Sequence, residues 1–427
     1  MDSSVIDYMY SLMREGIKLD LEVTREFNGM LGNPDRSFKS VHIAGSNGKG
    51  STSAFVYNIL QNYSRTGIYT SPHLVDFNER IVSGRKSIPD EYIEKFIGDY
   101  RGKIESLKEK NRNPTFFELT TVLAFKYFQE TACKYASVEV GLGGRLDSTN
   151  IISPMVSVIT QVGYEHAMKL GCSLTSIAFE KGGIVKKGIP VVLGDNKPEV
   201  YATVKRIAES RGSELHCSWK DAITEDFTVS VDGVKFRLKT GNREYRISSS
   251  LPGLFQRNNI ICSVLAIENS GESVPKTRIE KGISNTCWPG RMQVISKDPL
   301  VIMDSSHNPP AAHSLVSSYK AISNREPVLL VGMLSDKDVD SYLKILRGLS
   351  SRVVFTTPEE PERAIPPAEL YRMYSGLFRE ARVIEDPVTA YDECISSGSD
   401  VLVTGSMYLL GRIMREKGIK VKFFHKE

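Results

Sequence analysis

The sequence predicts an α/β protein of two domains, a larger first domain followed by a smaller doubly wound domain. Two series of short apolar runs alternate with helical patterns, which is typical of parallel sheets covered by helices on both faces. The segment Trp288-Pro289-Gly290-Arg291 interrupts both patterns between the two series. At 427 residues the chain is also too long for one core. We therefore expect domains at residues 1–290 and 291–427.

The composition is typical of a soluble globular protein and argues against several functional classes. The net charge is only +4 and no long basic run occurs, so a dedicated nucleic-acid-binding protein is disfavoured. The six cysteines are scattered and form no CxxC pair, which argues against a disulfide framework or a structural zinc site. We find no signal-peptide core, and no apolar stretch reaches the ~18 residues of a membrane span. We expect a cytoplasmic protein without a membrane partner.

The predicted elements follow the apolar periodicity. In the first series, strands are predicted at residues 41–44, 67–69, 136–140 and 156–160, and helices at 51–63 and 117–130. Residues 227–231 and 234–238, joined across Asp232-Gly233, predict a β-hairpin that extends the first domain. In the second series, strands are predicted at 301–303, 328–331, 353–356, 383–384 and 401–404, and helices near 310–322, 338–349, 368–378, 389–396 and 408–416.

The run Gly45-Ser46-Asn47-Gly48-Lys49-Gly50-Ser51 lies between a predicted strand and a predicted helix. Glycines let backbone N–H groups turn toward an anion, and a helix N-terminus adds a favourable dipole. Lys49 can supply charge to the β- and γ-phosphates, and the Ser51 hydroxyl can reach Mg²⁺. The strict GxxxxGK[ST] pattern fails because Ile43 replaces its first glycine and Gly50 follows the lysine. A plain glycine-rich turn is the alternative, but the strand–loop–helix context favours nucleotide binding.

Polar residues follow other predicted strands, at the sheet edge where ligands of α/β proteins bind. Glu139 could bind Mg²⁺, but a glutamate that only ends a strand before a turn is an equally good interpretation. Asp147 could contact a ligand or close the glycine loop that separates it from Glu139. His166 could be a metal ligand or a surface histidine. Lys181, before two glycines, is by itself best interpreted as a lysine favoured by a helix C-terminus.

The second series repeats this arrangement. Asp304-Ser305-Ser306-His307-Asn308-Pro309 follows the strand predicted at 301–303, so a polar cluster again lies at a strand's carboxyl end. Arg291, in the presumed linker, could reach a nucleotide phosphate if the domains close, although linker arginines are usually just solvated.

Nine segments together resemble a known family. They are GSNGKGS, YTSPHLVDFNERI, TFFELT, EVGLGGRLDSTN, EKGGIVKKGIPVV, WPGR, DSSHNP, MLSDKD and VTGSMYLLG. In this order they are similar to folylpolyglutamate synthase and dihydrofolate synthase of the Mur ligase superfamily, from about Leu19 to Gly411. The resemblance implies an α/β fold with a Mur-ligase-type P-loop ATP-binding domain that carries a pterin site. It also implies a smaller Rossmann-like C-terminal glutamate-ligase domain.

The resemblance assigns roles by position. The implied Mg²⁺ ligands, for two sites, are Ser51, Glu139, His166 and Lys181, the last carbamylated so that it binds the second ion. The implied ATP-binding residues are Asn47, Gly48, Lys49, Gly50, Ser51, Asn259, Arg291 and Asp304. The implied catalytic residues are Lys49, Lys181 and His307. The implied pterin-site residues are Thr115, Phe116, Phe117, Glu118, Leu146, Asp147 and Ser148. Some neighbouring positions depart from the family pattern, such as Glu165 and Ser305, but no implied catalytic group is lost.

The resemblance implies an ATP-dependent ligase that works as a monomer. It would join L-glutamate to 7,8-dihydropteroate, to tetrahydrofolate glutamates, or to both, through an acyl phosphate. One alternative is a muramyl-type amino-acid ligase, which the TFFE run and the lack of an additional UDP-binding domain disfavour. Another is a non-ligase P-loop nucleotide-binding protein, which would need the phosphate loop but not Glu139, His166 and Lys181 together.

Overall fold

The structure is a computed structural model and describes residues 3–12, 16, 20–110, 112–164, 170–241, 243–360 and 362–423. The chain forms two compact units. The first consists of Met1–Thr224, Leu238–Tyr245 and Asn258–Ile283, and the second of Glu225–Arg237, Arg246–Arg257 and Ser284–Glu427. The long segment of the second unit begins close to the predicted boundary at residue 290, which stays a prediction.

The first unit contains an eight-stranded sheet of order β4-β3-β2-β5-β1-β6-β7-β8. Its strands are β1 (Lys39–Ala44), β2 (Thr66–Tyr69), β3 (Ile81–Ser83), β4 (Lys86–Ser87), β5 (Tyr135–Glu139), β6 (Val156–Ile159), β7 (Val191–Leu193) and β8 (Leu215–Cys217). Strands β2, β5, β1, β6, β7 and β8 pair in parallel, and β3 and β4 add an antiparallel edge. The central strands are almost fully buried, as expected when helices cover both faces.

Helices enclose this sheet. They are α1 (Ser3–Ser11), α2 (Glu22–Met30), α3 (Lys49–Gln61), α4 (Asp90–Glu109), α5 (Phe116–Glu130), α6 (Leu174–Gly182), α7 (Pro198–Arg211), α8 (Gln256–Glu268) and α9 (Lys276–Ser284). One buried cluster joins Phe125 of α5 to Val138 of β5, and a second joins Ile177 of α6 to Ile159 of β6. The two clusters hold the central strands, so the ends of these strands are rigid supports for loops.

A separate three-stranded sheet, of order β11-β10-β9, contains β9 (Ala222–Ser230), β10 (Gly233–Thr240) and β11 (Glu244–Ser249). The predicted hairpin across Asp232-Gly233 is thus confirmed, and a third strand continues it. The prediction placed the whole hairpin in the first domain, but residues 225–237 belong to the second unit.

The second unit has a six-stranded sheet of order β12-β13-β17-β14-β15-β16, built from β12 (Gln293–Lys297), β13 (Leu300–Met303), β14 (Val328–Val331), β15 (Arg352–Phe355), β16 (Glu380–Val383) and β17 (Val401–Thr404). Its helices are α10 (Pro309–Ile322), α11 (Val339–Arg347), α12 (Pro367–Tyr374), α13 (Pro387–Ser396) and α14 (Met407–Glu416). Pairing is parallel except between β12 and β13. The predicted α/β class and doubly wound second domain are confirmed. The edge strands β12 and β16 are partly exposed: β12 was not predicted, and the strand predicted at 383–384 overlaps β16 only at Val383.

In the described part of the chain, no helix combines the length and the apolar character needed to cross a bilayer.

Candidate active site

The glycine-rich run forms a tight loop between β1 and α3. Gly45 and Gly48 have φ angles of 154° and 88°, which residues other than glycine rarely adopt. A Cβ atom at Gly45 would lie 1.8 Å from the Thr160 Oγ1 atom, and one at Gly48 would lie 2.5 Å from the Asn259 Oδ1 atom. Glycine is therefore required at both positions for conformation and for space. The close approach also places Asn259, predicted to bind ATP, directly beside the loop.

The loop is held from the end of β6. The Ser46 amide donates to the Gln161 carbonyl at 2.7 Å, and the Thr160 hydroxyl donates to the Asn47 carbonyl at 2.8 Å. The Ser46 hydroxyl donates to the Gly163 carbonyl and accepts from the Gly163 amide, both at 2.9 Å. Loop carbonyls are thus used within the protein, which leaves the loop's shape independent of a ligand.

Lys49 lies at the first position of α3, and its ammonium donates to the Gly45 carbonyl at 2.8 Å and the Ser46 carbonyl at 3.3 Å. The residue before it, Gly48, has no side chain to cap the helix. The amides of the first turn and the helix dipole therefore favour an anion at this end of α3. A cation and an uncapped helix N-terminus at one loop are the arrangement that binds phosphates.

Glu139 ends β5 and is paired in register with Ile43 of β1, so it lies at the same sheet edge as the loop. Its side chain is 5% exposed, and its Oε2 atom accepts from the Ser71 amide at 3.4 Å. Ser51, in the first turn of α3, is 1% exposed. The Ser137 hydroxyl of β5 donates to the Ser53 carbonyl at 3.0 Å and so ties α3 to the strand that carries Glu139.

Among the four predicted metal ligands, His166 lies outside the described residues. Lys181, near the end of α6, is only 1% exposed, and a lysine is almost never buried this fully unless its charge is paired. No three or more His, Cys, Asp or Glu side chains within the described ranges are arranged to hold a metal ion. The predicted set contributes only Glu139 of those residue types there, so the structure leaves the metal assignment as a prediction.

The glycine loop after β5 packs on the end of α6. The Arg145 amide donates to the Glu180 carbonyl at 2.8 Å. A Cβ atom at Gly144 would lie 2.9 Å from the Glu180 carbonyl oxygen and 3.0 Å from the Lys181 carbonyl oxygen. The motifs that contain Glu139 and Lys181 are therefore in direct contact.

Asp147 closes this loop. Its carboxylate accepts from the Leu142 amide at 2.8 Å and from the Thr149 amide at 3.0 Å, and it caps the 3₁₀ helix Ser148–Ile151. Burial raises the pKa of the Asp147 carboxyl, against these donors, which lower it. Of the two roles that the sequence left open, loop closure is observed. The predicted contacts of Leu146, Asp147 and Ser148 with a pterin stay predictions.

The segment 115–118, also predicted to line the pterin site, starts α5 with a capping box. The Glu118 carboxylate accepts from the Thr115 amide at 2.7 Å, and the Thr115 hydroxyl accepts from the Glu118 amide at 3.2 Å. Burial raises the pKa of Glu118. The spacing T-x-x-E signals this structural role in the sequence, and the sequence analysis missed it.

The two phenylalanines of this segment, Phe116 and Phe117, pack against other aromatic rings. The Phe117 ring lies against Gly141, where a Cβ atom would come within 2.5 Å of it, and stacks on Tyr69 at a centroid distance of 5.9 Å. The Phe116 ring stacks on Tyr10 at 5.6 Å. The structure thus brings the two predicted pterin segments, 115–118 and 146–148, to the two ends of the same glycine loop.

Sequence reasoning also missed residues that shape the site. Asp195 is 3% exposed and follows β7; its Oδ2 atom accepts from the Val162 amide at 2.8 Å and from the Lys197 ammonium at 2.6 Å. Asp195 thereby fixes residues 161–163, and these residues are hydrogen-bonded to Ser46 of the phosphate loop. The rule that pointed to Glu139, an acid at the carboxyl end of a strand, would also have found Asp195. Nothing in the pattern singles out Thr160.

In the second unit, Asp304, Arg291 and His307 gather at the carboxyl end of β13. The Asp304 carboxylate accepts from the Met292 amide at 2.8 Å and the Ser306 amide at 2.9 Å. The Arg291 guanidinium donates to the Gly290 carbonyl at 3.2 Å, and the His307 Nδ1 atom lies 2.9 Å from the Ser305 carbonyl. Their predicted roles toward ATP stay predictions.

A buried triangle of hydroxyls lies beneath these residues. The Tyr342 hydroxyl is 2.7 Å from the Thr404 hydroxyl and 3.0 Å from the Ser306 hydroxyl, and the last two are 3.0 Å apart. The Tyr342 hydroxyl also lies 2.9 Å from the Ser306 carbonyl, which accepts from the Gly405 amide. Ser306, the residue before His307, is therefore fixed by its hydroxyl, its amide and its carbonyl.

The chain is similar in sequence to known ligases. Two family models match the chain: the Mur ligase middle domain over residues 43–267 and the Mur ligase glutamate ligase domain over residues 290–407. The chain is 30% identical over 418 residues to a dihydrofolate synthase/folylpolyglutamate synthase of Bacillus subtilis, covering 96% of this chain and 97% of that protein.

Solved structures are similar over nearly the whole chain. Mycobacterium tuberculosis folylpolyglutamate synthase, complexed with ADP and AMPPCP, matches with a TM-score of 0.91 and 26% identity, covering 98% of this chain and 99% of that chain. Escherichia coli FolC, in complex with DHPP and ADP, matches with a TM-score of 0.82 and 28% identity, covering 97% of each chain.

Proposed function

This chain belongs to the dihydrofolate synthase and folylpolyglutamate synthase family of Mur ligases, and on that premise we propose that it joins L-glutamate to a pterin carboxylate with ATP. Membership confirms the predicted family and the Mur-ligase-type fold. The acceptor is 7,8-dihydropteroate, a tetrahydrofolate glutamate, or both. The observation that carries the proposal is the phosphate loop, which lies at the same end of the sheet as Glu139. The helix that follows the loop has no capping side chain at its N-terminus, and the loop sequence departs from the strict P-loop pattern.

The proposed reaction has two steps. A carboxylate oxygen of the pterin substrate attacks the γ-phosphorus of ATP, the bond from that phosphorus to the β–γ bridging oxygen breaks, and ADP leaves. The glutamate amine then attacks the acyl carbon of the acyl phosphate, loses a proton, and displaces phosphate to form the amide. Lys49 and the first-turn amides of α3 hold the phosphates and stabilise the charge that collects on the transferred group.

The residues at the loop fit a magnesium ion. Mg²⁺ prefers oxygen ligands, and the Ser51 hydroxyl and the Glu139 carboxylate are such ligands on neighbouring elements of one sheet edge. Bound there, Mg²⁺ would offset negative charge on the phosphoryl group. We propose His166 as a further ligand from the family resemblance.

We also propose that Lys181 is carbamylated and binds a second Mg²⁺. Its near-complete burial beside the loop after Glu139 supports this, because carbamylation replaces an ammonium with a carboxylate that a metal cation can pair. Lys181→Ala should then lose most ligase activity, and added short-chain carboxylic acids such as acetate should restore part of it. Loss without restoration by any such acid would contradict carbamylation, and full activity of the variant would contradict any catalytic role.

The central test measures ADP release by the purified protein with glutamate and each pterin separately. Stimulation by dihydropteroate alone, by tetrahydrofolate alone, or by both assigns the acceptor. A UDP-linked muramyl substrate serves as the specificity control. Glutamate-dependent ADP release without stimulation by either pterin would overturn the proposed substrate class.

We further propose that the protein works as a cytoplasmic monomer. All six cysteines are free thiols, which suits a reducing compartment. Size-exclusion chromatography with light scattering at assay concentration tests the oligomeric state, and a stable dimer would contradict this part of the proposal.

A further inference from the structure

A buried histidine that the proposed reaction does not use lies in the strand that leads to the phosphate loop. His42 of β1 is 0% exposed, and its Nε2 atom is 2.9 Å from the Thr149 hydroxyl, itself 0% exposed. The Thr149 hydroxyl donates to the Asp147 Oδ1 atom at 2.5 Å. A chain of hydrogen bonds thus runs from β1 to the carboxylate that closes the glycine loop.

The direction of the protons along this chain follows from its ends. Asp147 accepts from the Leu142 and Thr149 amides as well as from the Thr149 hydroxyl, so the Thr149 proton points to Asp147. The Thr149 oxygen must therefore accept from His42, which fixes the proton on the His42 Nε2 atom. Burial, and secondarily the charge of Lys186, holds the pKa of His42 well below its usual range, so the ring is neutral.

The other ring nitrogen argues against a purely structural role. The His42 Nδ1 atom is buried and has no hydrogen-bond partner among the described residues. An unpartnered buried nitrogen destabilises a fold, whereas an apolar side chain at this position would not carry that cost. The flanking residues of β1, Val41 and Ile43, are apolar and fully buried. Histidine at position 42 therefore contributes through its Nε2 donor rather than through packing.

We propose that His42 is a positioning residue for the pterin substrate: through Thr149 it orients Asp147 and so fixes the loop 141–147. The relay links the strand that carries the nucleotide loop to the loop that the pterin contacts. This inference rests on the proposed function, because it needs residues 146–148 to line the pterin site.

The test separates positioning from folding by replacing His42 with an apolar residue of similar size. In His42→Leu, KM for the pterin should rise about tenfold, the ratio that corresponds to about 1.4 kcal/mol, while kcat and KM for ATP change less than about twofold. The melting temperature should be no lower than that of the wild type. A role in folding alone would instead lower the melting temperature and leave KM for the pterin unchanged.

Three further variants sharpen the result. His42→Gln keeps a donor near the Nε2 position and should restore most of the pterin affinity. Thr149→Val should reproduce the rise in KM, and the double variant His42→Leu/Thr149→Val should be no worse than Thr149→Val alone. Ser157→Ala is the matched control: Ser157 is paired with His42 on β6 and equally buried, but its hydroxyl donates to the Ile184 carbonyl, so KM for the pterin should not change.

Failure of this inference is distinct from failure of the proposed function. If wild-type protein shows no pterin-stimulated ADP release, the proposed function fails and with it the site that His42 is said to support. If the wild type is active but His42→Leu keeps the wild-type KM for the pterin, or raises KM for ATP equally, the inference alone is overturned.

Discussion

Replacing Gly45 with alanine tests the packing of the phosphate loop. The backbone angle at this position costs a non-glycine residue about 1–3 kcal/mol. The new Cβ atom would also lie 1.8 Å from the Thr160 hydroxyl, which must move away. That movement breaks the hydrogen bond that the single Thr160 hydroxyl hydrogen shares between the Asn47 and Ala44 carbonyls, at 2.8 and 3.2 Å. At about 1 kcal/mol for this shared bond, the total loss is about 2–4 kcal/mol of unfolding free energy.

A double-mutant cycle isolates the contact. Thr160→Ala alone loses the same shared hydrogen bond and should cost about 1 kcal/mol. Added to Gly45→Ala, it should cost almost nothing further, because that bond is already broken and the obstructing hydroxyl is gone. Urea unfolding of the four proteins gives the coupling energy, which should be about 1 kcal/mol. Additive losses would refute the conclusion that the Thr160 side chain excludes a side chain at position 45. KM for ATP should also rise in each of these three variants that loses stability.

Two further predictions concern buried groups away from the loop. Tyr342→Phe removes one of the three hydroxyls of the triangle and should lower the free energy of unfolding by about 2 kcal/mol. The control is Tyr319→Phe, because Tyr319 is equally buried but its hydroxyl makes only a long bond of 3.4 Å to Asp400. Equal losses in the two variants would contradict the role of the triangle. Burial lowers the pKa of Lys186 from 10.5 to about 8, so between these values the unfolded chain binds more protons and stability should rise with pH. Urea unfolding from pH 8 to pH 10 should show this rise in the wild type and a smaller one in Lys186→Met; identical slopes would be the contrary result.

The sequence predicts best where structure depends on neighbouring residues. The strand–loop–helix around Gly45–Ser51 follows from an apolar run, glycines and a helical pattern within one short segment, and β1 and α3 lie where expected. The parallel strands β1, β2, β5 and β6 were predicted in the same way from their buried apolar runs, whereas β7 and β8, which also pair in parallel, were not predicted. The edge strand β12 was not predicted either, since its residues are only half-buried and its position is set by pairing with β13.

The site was harder to predict because its supports come from distant parts of the chain. Thr160 and Asp195 support the phosphate loop only because β6 lies beside β1 and β7 lies beside β6, an order of strands that no local pattern records. Glu118 shows the opposite case. Its carboxylate is bound within the capping box of α5, a local signal that was readable in the sequence but was missed, while its predicted place in the pterin site stays a prediction.

Acids at or after strand ends in this protein accept backbone amides, and they differ in side-chain length and in which amides they bind. Asp147, Asp195 and Asp304 each accept backbone amides from residues close in the chain or from the adjoining loop, because a short carboxylate reaches nearby amides easily. These aspartates fasten the loops that form the site. Glu139 has the longer side chain and lies at the strand end next to the phosphate loop. An acid at a strand end is therefore a sound indicator of the site's location, but the choice between fastening a loop and binding a ligand depends on which amides lie within reach. Glu139 is the strand-end acid that we propose as a metal ligand, and Asp147 is the one whose orientation the relay from His42 would control.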